Sequence, residues 1–395
     1  MGQFKQRLAS IDVFRALTML LMIFVNDLWT LKNIPLWLEH TQAAEDGMGL
    51  ADTVFPAFLF IVGLSIPFAI GNRWSKGASQ TNILSHILVR AFALLAMGFF
   101  HVNLENYNAA AFLPKTIWEI LLTISFFLIW LDYPSTLSKQ KKTLLQGAGI
   151  VLLVFLAIVF KGGENEHPVW LKPYWWGILG LIGWSYLITA LIFQFSKGKL
   201  PVLIGAFVFF TLFNIAAKAG WLQVLQPIKP YIWITGDGAL PSLTMAGIIT
   251  AVLYSSLAEK GKYTTCFIVL LILGVVMLAG GFAIRPLAGI SKIRATPSWV
   301  MICSGISILL FTALIWLVDR KNKQHLFAIL KPAGTSTLTA YLLPYIFYPL
   351  VHIAGISLPV FLLTGSMGLV KSLLFALGII LLTGLLEKWR IRLKI

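Results

Sequence analysis

The chain has 395 residues, of which 58% are hydrophobic and only 12% charged, and it carries a formal net charge of +16 at pH 7. Such a composition lies far outside the soluble range and excludes a soluble enzyme, a nucleic-acid binder and a disordered scaffold. Near-uncharged runs recur along the whole length, each close to the roughly 20 residues that cross a bilayer, so no segment is left for an independent soluble domain.

In chain order, apolar runs bounded by charge or by Pro and Gly predict spans near 11–31, 51–70, 88–104, 116–133, 144–160, 176–195, 200–217, 238–257, 263–284, 298–318, 334–354 and 369–387. The fold class is therefore all-α: a polytopic membrane bundle of about 10–12 transmembrane helices, organised as one transmembrane domain over 1–395. The third span is short, and 358–369 reads as a loop or a re-entrant piece. The basic start, Met1 to Arg7, begins as a signal peptide does. Asp12, Arg15, Asn26 and Asp27 interrupt the stretch that follows and no small-residue cleavage site appears, so it is expected to remain as the first span.

Alternate connections hold the cations: Lys5 and Arg7; Arg73, Lys76 and Arg90; Lys139, Lys141 and Lys142; Lys197 and Lys199; Lys260 and Lys262; Arg320, Lys321 and Lys323; and the last residues from Lys388 to Lys394. By the positive-inside rule both termini are cytoplasmic, and the basic balance is topological rather than a ligand signature. The opposite connections, 32–50, 105–115, 161–175, 218–237 and 285–297, are longer. Trp29, Trp37, Trp170, Trp175, Trp176, Trp221, Trp233 and Trp299 gather in or beside them, as an interfacial belt or as walls of an outward cavity where a ring can stack on a sugar. Cys266 and Cys303 fall in apolar runs near opposite faces, too far apart for a disulfide, and read as packing residues.

Polar side chains inside or at the mouth of a span cost roughly 2–3 kcal/mol each on insertion scales, so each needs a reason. They concentrate early. Asn26 lies near the outer end of the first span, His40 follows in the first outer loop, and Asp52 opens the second span, so the three share one depth and one side. That is the minimum geometry for a histidine base oriented by a carboxylate beside an amide donor. Each also has an ordinary structural reading. Asp52 complements a helix dipole, His40 is one solvated loop histidine among His101, His167 and His352, and Asn26 is an interhelical hydrogen bond. Asp12 and Arg15, at i and i+3, read as an ion pair at the inner face. No histidine pair has metal-site spacing, and there is no phosphate loop or serine elbow. Residue chemistry alone leaves an outward-facing polar site, with enzyme and transporter both open.

The segment Arg7-Leu-Ala-Ser-Ile-Asp-Val-Phe-Arg15, then Met22-Ile-Phe-Val-Asn26, then His40, then Ala51-Asp-Thr-Val-Phe-Pro56, resembles the opening of the heparan-alpha-glucosaminide N-acetyltransferase family, in the form of a bacterial relative. Downstream, Lys292-x-x-x-Thr296-x-Ser298 and the frame from Gly334 to Tyr341 are similar to two further family segments. The resemblance implies that His40 is the catalytic histidine, Asn26 its neighbour and Asp52 a supporting acid. It implies transfer of acetyl from cytosolic acetyl-CoA to an amino sugar across a bacterial inner membrane, with His40 as base or transient acetyl acceptor. Arg7, Arg15, Arg73 and Lys76, together with Lys292 and Ser298, are the expected contacts to the acetyl-CoA co-substrate. The expected partners are acetyl-CoA, an amino sugar or glycan and membrane lipid, with no metal and no nucleic acid; a homodimer is left open. Two alternatives stand beside this reading: O-acylation of a surface or periplasmic polysaccharide, and a proton-coupled sugar transporter, which no visible inverted repeat supports.

Overall fold

The computed structural model describes residues 8–229, 233–258 and 260–395. Arg7, one of the expected co-substrate contacts, lies outside the described residues. The chain is built from helices α1 (Ala9–Asp27), α2 (Ala51–Ser75), α3 (Gln80–Val102), α4 (Lys115–Trp130), α5 (Lys139–Ile158), α6 (Gly177–Ser196), α7 (Leu200–Lys218), α8 (Ala239–Ala258), α9 (Tyr263–Ala283), the short α10 (Arg285–Ala288), α11 (Pro297–Leu314), α12 (Lys331–Thr335), α13 (Thr337–Leu342), α14 (Pro344–Ile353) and α15 (Gly365–Lys388). Between α5 and α6 a small antiparallel hairpin pairs β1 (Gly162–Gly163) with β2 (Pro168–Val169).

Among the described residues ten helices are long and apolar enough to cross a membrane, or eleven if the stretch Gln324–Ile353, bent by 73°, is one span. The chain is thus an all-α, multi-pass membrane protein. The sequence reading differs from it in three places. The third span is longer than its apolar run suggests, because a polar first turn and a half from Gln80 continues the same helix. The fourth, α4, has only 16 residues and rises about 24 Å, short of the hydrocarbon thickness. The eleventh breaks at Ser336, whose φ of −124° and ψ of 46° are not helical. The segment before α15 is a single 3₁₀ turn, Val360–Leu363, within a loop.

Internal packing divides the chain into two compact units, neither continuous in sequence: 8–25, 35–91 and 184–328 in the first, and 26–34, 92–183 and 329–395 in the second. In the first unit α8 is the central helix, with 83% of its most apolar window buried. Glycines let it touch α2 backbone to backbone. A Cβ on Gly63 would fall 2.0 Å from the Thr244 carbonyl oxygen, and one on Gly247 would fall 2.0 Å from that of Phe60. Such close crossings are how helices associate where no hydrophobic effect drives them together. The apolar filling is aromatic and branched: Phe14 packs on Phe60 and Phe311, with Leu64, Met245 and Ile248 around them. α9 meets α11 by the same device, since a Cβ on Gly305 would lie 2.8 Å from the Gly274 carbonyl oxygen. Only 22% of the α9 window is buried, which leaves an apolar face for lipid.

In the second unit α4 packs on α5 and α14, and α15 on α12. Its internal charge is Asp27, 1% exposed, whose carboxylate accepts from Tyr348 Oη, Lys371 Nζ and Ser372 Oγ, each at 2.6 Å. These three bonds tie Asp27 to α14 and α15.

Candidate active site

The site lies in the first unit, at the N-terminal ends of α2 and α11. Before α2 the chain makes a compact loop in which the Leu50 N–H donates to the Trp37 carbonyl at 2.7 Å, doubling the chain back so that His40 and Asp52 meet. His40 Nδ1 lies 2.6 Å from Asp52 Oδ1. The other carboxylate oxygen of Asp52 accepts the backbone N–H groups of Thr41 and Gly49, both at 3.0 Å. The Asp52 side chain is fully buried, while that of His40 is 46% exposed. A carboxylate that takes three donors keeps its charge without water, and an imidazole anchored through Nδ1 turns Nε2 toward solvent chemistry. Asp52 thereby does two things: it closes the turn into α2 and it holds the ring of His40.

A second loop, 285–296, is fastened over the first. Asp46 accepts the Ile290 N–H at 2.6 Å and Arg285 Nε at 2.9 Å, and the Gly47 N–H donates to the Ile290 carbonyl at 3.0 Å. The Ile290 hydrogen bond, then the Arg285 guanidinium, hold the exposed Asp46 carboxyl below its ordinary value. Within the loop, Ser291 and Thr296 bond to one another: the Ser291 N–H donates to Thr296 Oγ1 at 3.0 Å and the Thr296 N–H to the Ser291 carbonyl at 3.1 Å. The buried Asn214 amide nitrogen, 3.0 Å from the Ala295 carbonyl, ties the far end to α7. Lys292 rides on this loop, and its Nζ is 3.3 Å from both Nδ1 and Nε2 of His40. Burial pushes the Lys292 ammonium below the ordinary lysine range, and the Asp52 carboxylate pulls part of the way back.

α11 closes the floor. Trp299, 1% exposed, donates its indole N–H to the Asp52 carbonyl at 3.0 Å, so this tryptophan is a strut of the site and not part of the interfacial belt expected for it. Trp29, Trp37 and Trp221 are more than 65% exposed, as a belt requires. Ser298 is fully buried, with a hydroxyl that has no partner among the described residues. Cys303, one turn further, is a buried free thiol, as is Cys266.

His40, Asp52, Lys292 and Ser298 are thus gathered at one end of α2 and α11. Arg73 and Lys76 are at the other end of α2, roughly 30 Å from Asp52 at 1.5 Å per residue. Arg15 bonds Asp12 at 3.1 Å, the ion pair read from their spacing, and also donates to Ser65 at 2.8 Å. Asn26 is exposed at the end of α1 and belongs to the second unit. Of the competing histidines, His101 is 8% exposed, stacked on Tyr345 with ring centroids 4.2 Å apart, and has no hydrogen-bond partner for either nitrogen among the described residues, whereas His40 has a carboxylate. Sequence reasoning did not find the Asp46 clasp or Asn214. An acid in a Gly-Met-Gly loop and an amide in an apolar helix carry no signal of partners 244 and 81 positions away. Among the described residues no group of three or more His, Cys, Asp or Glu side chains is arranged to hold a metal ion.

Comparison with known proteins agrees with the resemblance read from the first 60 residues. Residues 7–171 match the family model described as "Heparan-alpha-glucosaminide N-acetyltransferase, catalytic". The chain is 36% identical over 105 residues to the human heparan-alpha-glucosaminide N-acetyltransferase, which is 26% of this chain and 14% of that protein. The mouse protein of the same name is 35% identical over 105 residues, with the same shares. The aligned part therefore spans only a small fraction of these relatives' length. The matched region contains His40 and Asp52 and ends before Lys292. Over residues 7–171, less than half of its length, the chain is thus similar to the heparan-alpha-glucosaminide N-acetyltransferase catalytic family.

Proposed function

We propose that the protein is a transmembrane acetyltransferase that moves the acetyl group of cytosolic acetyl-CoA to the amino group of a sugar on the opposite face of a bacterial inner membrane, with His40 as base or acetyl acceptor. The observation that carries this is the contact of His40 Nδ1 with the buried Asp52 carboxylate at 2.6 Å, in the segment matched to the catalytic family. A thioester is already activated, but an amine attacks only when neutral. Nδ1–H held by Asp52 leaves Nε2 free to take the ammonium proton or to receive the acetyl group first. Asn26, the second site residue that the resemblance implies, carries an amide able to donate.

Acetyl-CoA brings phosphates, which need cations. The end of α2 away from His40 offers them: Arg73 and Arg90 lie close enough to His86 to act on it electrostatically, and Arg90 stands over the Tyr186 ring at 5.0 Å. Neither arginine pairs with a carboxylate among the described residues, and the Arg90 Nε is buried without a partner. Unneutralised arginines suit a phosphate better than they suit the interior of a membrane protein. With cations at that end and the histidine at this one, the positive-inside rule puts CoA in the cytoplasm and the acceptor outside.

Incubation of the purified protein with labelled acetyl-CoA and a panel of amino sugars and hydroxyl-bearing glycans, read by mass spectrometry, tests the reading. N-acetylated product is expected from the native protein and none from His40→Ala, which should still bind acetyl-CoA within a few-fold. O-acetylated product alone would move the acceptor to a hydroxyl. Sugar uptake without covalent change would make the protein a transporter.

A further inference from the structure

The group that faces His40 beside Asp52 is a cation. We propose that Lys292 is a catalytic residue of the transfer: its ammonium binds the thioester carbonyl oxygen as negative charge develops there. This inference rests on the acetyltransferase reading above and deepens it.

The hydrogen bonds identify the ring nitrogen that donates to Asp52. Asp52 is an acceptor toward all three of its partners, so at 2.6 Å the Nδ1 of His40 must carry a proton. The Lys292 Nζ lies 3.3 Å from both Nδ1 and Nε2, so it stands against the ring rather than in line with the Nε2 lone pair, which stays open to a proton or to the acetyl group. Asp52 from α2, Lys292 from the 285–296 loop and the Cys303 thiol of α11, within electrostatic reach of both, are the titratable groups at this position. Asp46 and Arg285 neutralise each other at 2.9 Å.

A phosphate role for Lys292 is disfavoured by position, because the ammonium is at the His40 end of α2 and not at the end that holds Arg73 and Lys76. The lysine is also held in place. Its loop is pinned by Asp46 at Ile290, by the Ser291–Thr296 bonds and by Asn214 at Ala295. Donors fixed in advance of the reaction stabilise developing charge without reorganising, which is where such groups gain their effect.

In the step itself the neutral acceptor nitrogen forms a C–N bond to the thioester carbonyl carbon, and the carbonyl π pair moves onto oxygen. That oxyanion lies beside Nε2 and is met by the Lys292 ammonium. His40 Nε2 takes the proton from the attacking nitrogen. Return of the electron pair restores the carbonyl and breaks the C–S bond, and the proton on His40 passes to the departing thiolate, giving amide and CoA thiol. If the imidazole itself attacks first, the oxyanion forms at the same place.

The test is Lys292→Met and Lys292→Arg, with glucosamine as acceptor and two donors: acetyl-CoA, and S-acetyl-N-acetylcysteamine, which lacks every phosphate. In parallel, the pH dependence of diethyl pyrocarbonate modification of His40 is followed by peptide mass spectrometry. For Lys292→Met we expect kcat to fall about 100- to 1000-fold with both donors, the range for loss of one oxyanion donor, and KM for acetyl-CoA to stay within about 3-fold. The His40 modification midpoint should rise by on the order of one pH unit, since a neighbouring cation is lost. Lys292→Arg, which keeps charge and donors, should leave the midpoint in place and recover part of kcat. A raised KM for acetyl-CoA with the small thioester reacting at the native rate would overturn the proposal in favour of a phosphate contact. An unmoved midpoint would overturn the contact of the ammonium with the His40 ring on which the proposal rests. Native protein that acetylates nothing with either donor, while the midpoint still moves, would sink the acetyltransferase reading and the oxyanion role with it, leaving only the contact of the ammonium with the ring.

Discussion

Gly49 and Glu39 touch through their backbones: a Cβ on Gly49 would fall 2.0 Å from the Glu39 carbonyl oxygen and 3.1 Å from that of Trp37. Gly49 has an ordinary backbone conformation, so it is space and not φ that demands glycine here. The approach brings the Gly49 N–H to Asp52 and places the residue before His40 against the start of α2. Gly49→Ala has to push this loop outward. An overpacking cost of about 1–3 kcal/mol is expected, and the His40–Asp52 contact should lengthen. The measurements are Tm in detergent and acetyl transfer; unchanged values of both would mean that the loop is looser than its contacts imply.

Asp52→Asn separates the two jobs of the carboxylate. As a helix-start acid alone, Asp52 would be worth about 0.3–1 kcal/mol, and asparagine would retain most of it. As the partner of His40, its loss removes the charge that stabilises an imidazolium and frees the tautomer. The expected fall in kcat/KM is roughly 10- to 1000-fold, or about 1.4–4 kcal/mol. Losing the carboxylate lowers the histidine pKa, so the acidic limb of the rate profile should move to lower pH, opposite in sign to the effect of removing Lys292. A full rate with an unmoved limb would return Asp52 to a capping role.

Lys292 also predicts a pH dependence of stability. Burial depresses its folded-state pKa below the unfolded value near 10.4, so the unfolded chain binds the proton more tightly. The penalty is fully present below the folded pKa and is relieved as pH rises toward the unfolded one. The native protein should therefore gain stability on the alkaline side of neutrality relative to Lys292→Met, and at pH 7 the variant should melt no lower than the native protein. A variant that melts several degrees lower at pH 7 would show that the ammonium is a net structural contact.

Sidedness is tested by cysteine labelling. Single cysteines at Lys141 and Lys323 should react only with a reagent supplied from the cytoplasm, and one at Glu164 only from outside. The reverse pattern would place His40 on the side of the CoA pool and remove the need for transfer across the membrane.

The membrane character, the helical class and most of the spans are determined by the sequence itself, because hydrophobicity and charge act over about 20 consecutive residues and need no partner. His40 and Asp52 were legible for a related reason: they flank one short loop and one helix start, so their meeting is a local event. The shortness of α4 and the break at Ser336 were not, since a bend is set by what packs against it. Lys292 marks the boundary most clearly. Its position in a family-like segment suggested a co-substrate contact, yet its place 3.3 Å from His40, across 252 positions, exists only because α8 brings α2 beside α11 and the Asp46 clasp turns one loop over the other. No local pattern encodes a contact at that separation. It follows from how the helices cross, which here is decided by where glycines let two backbones touch.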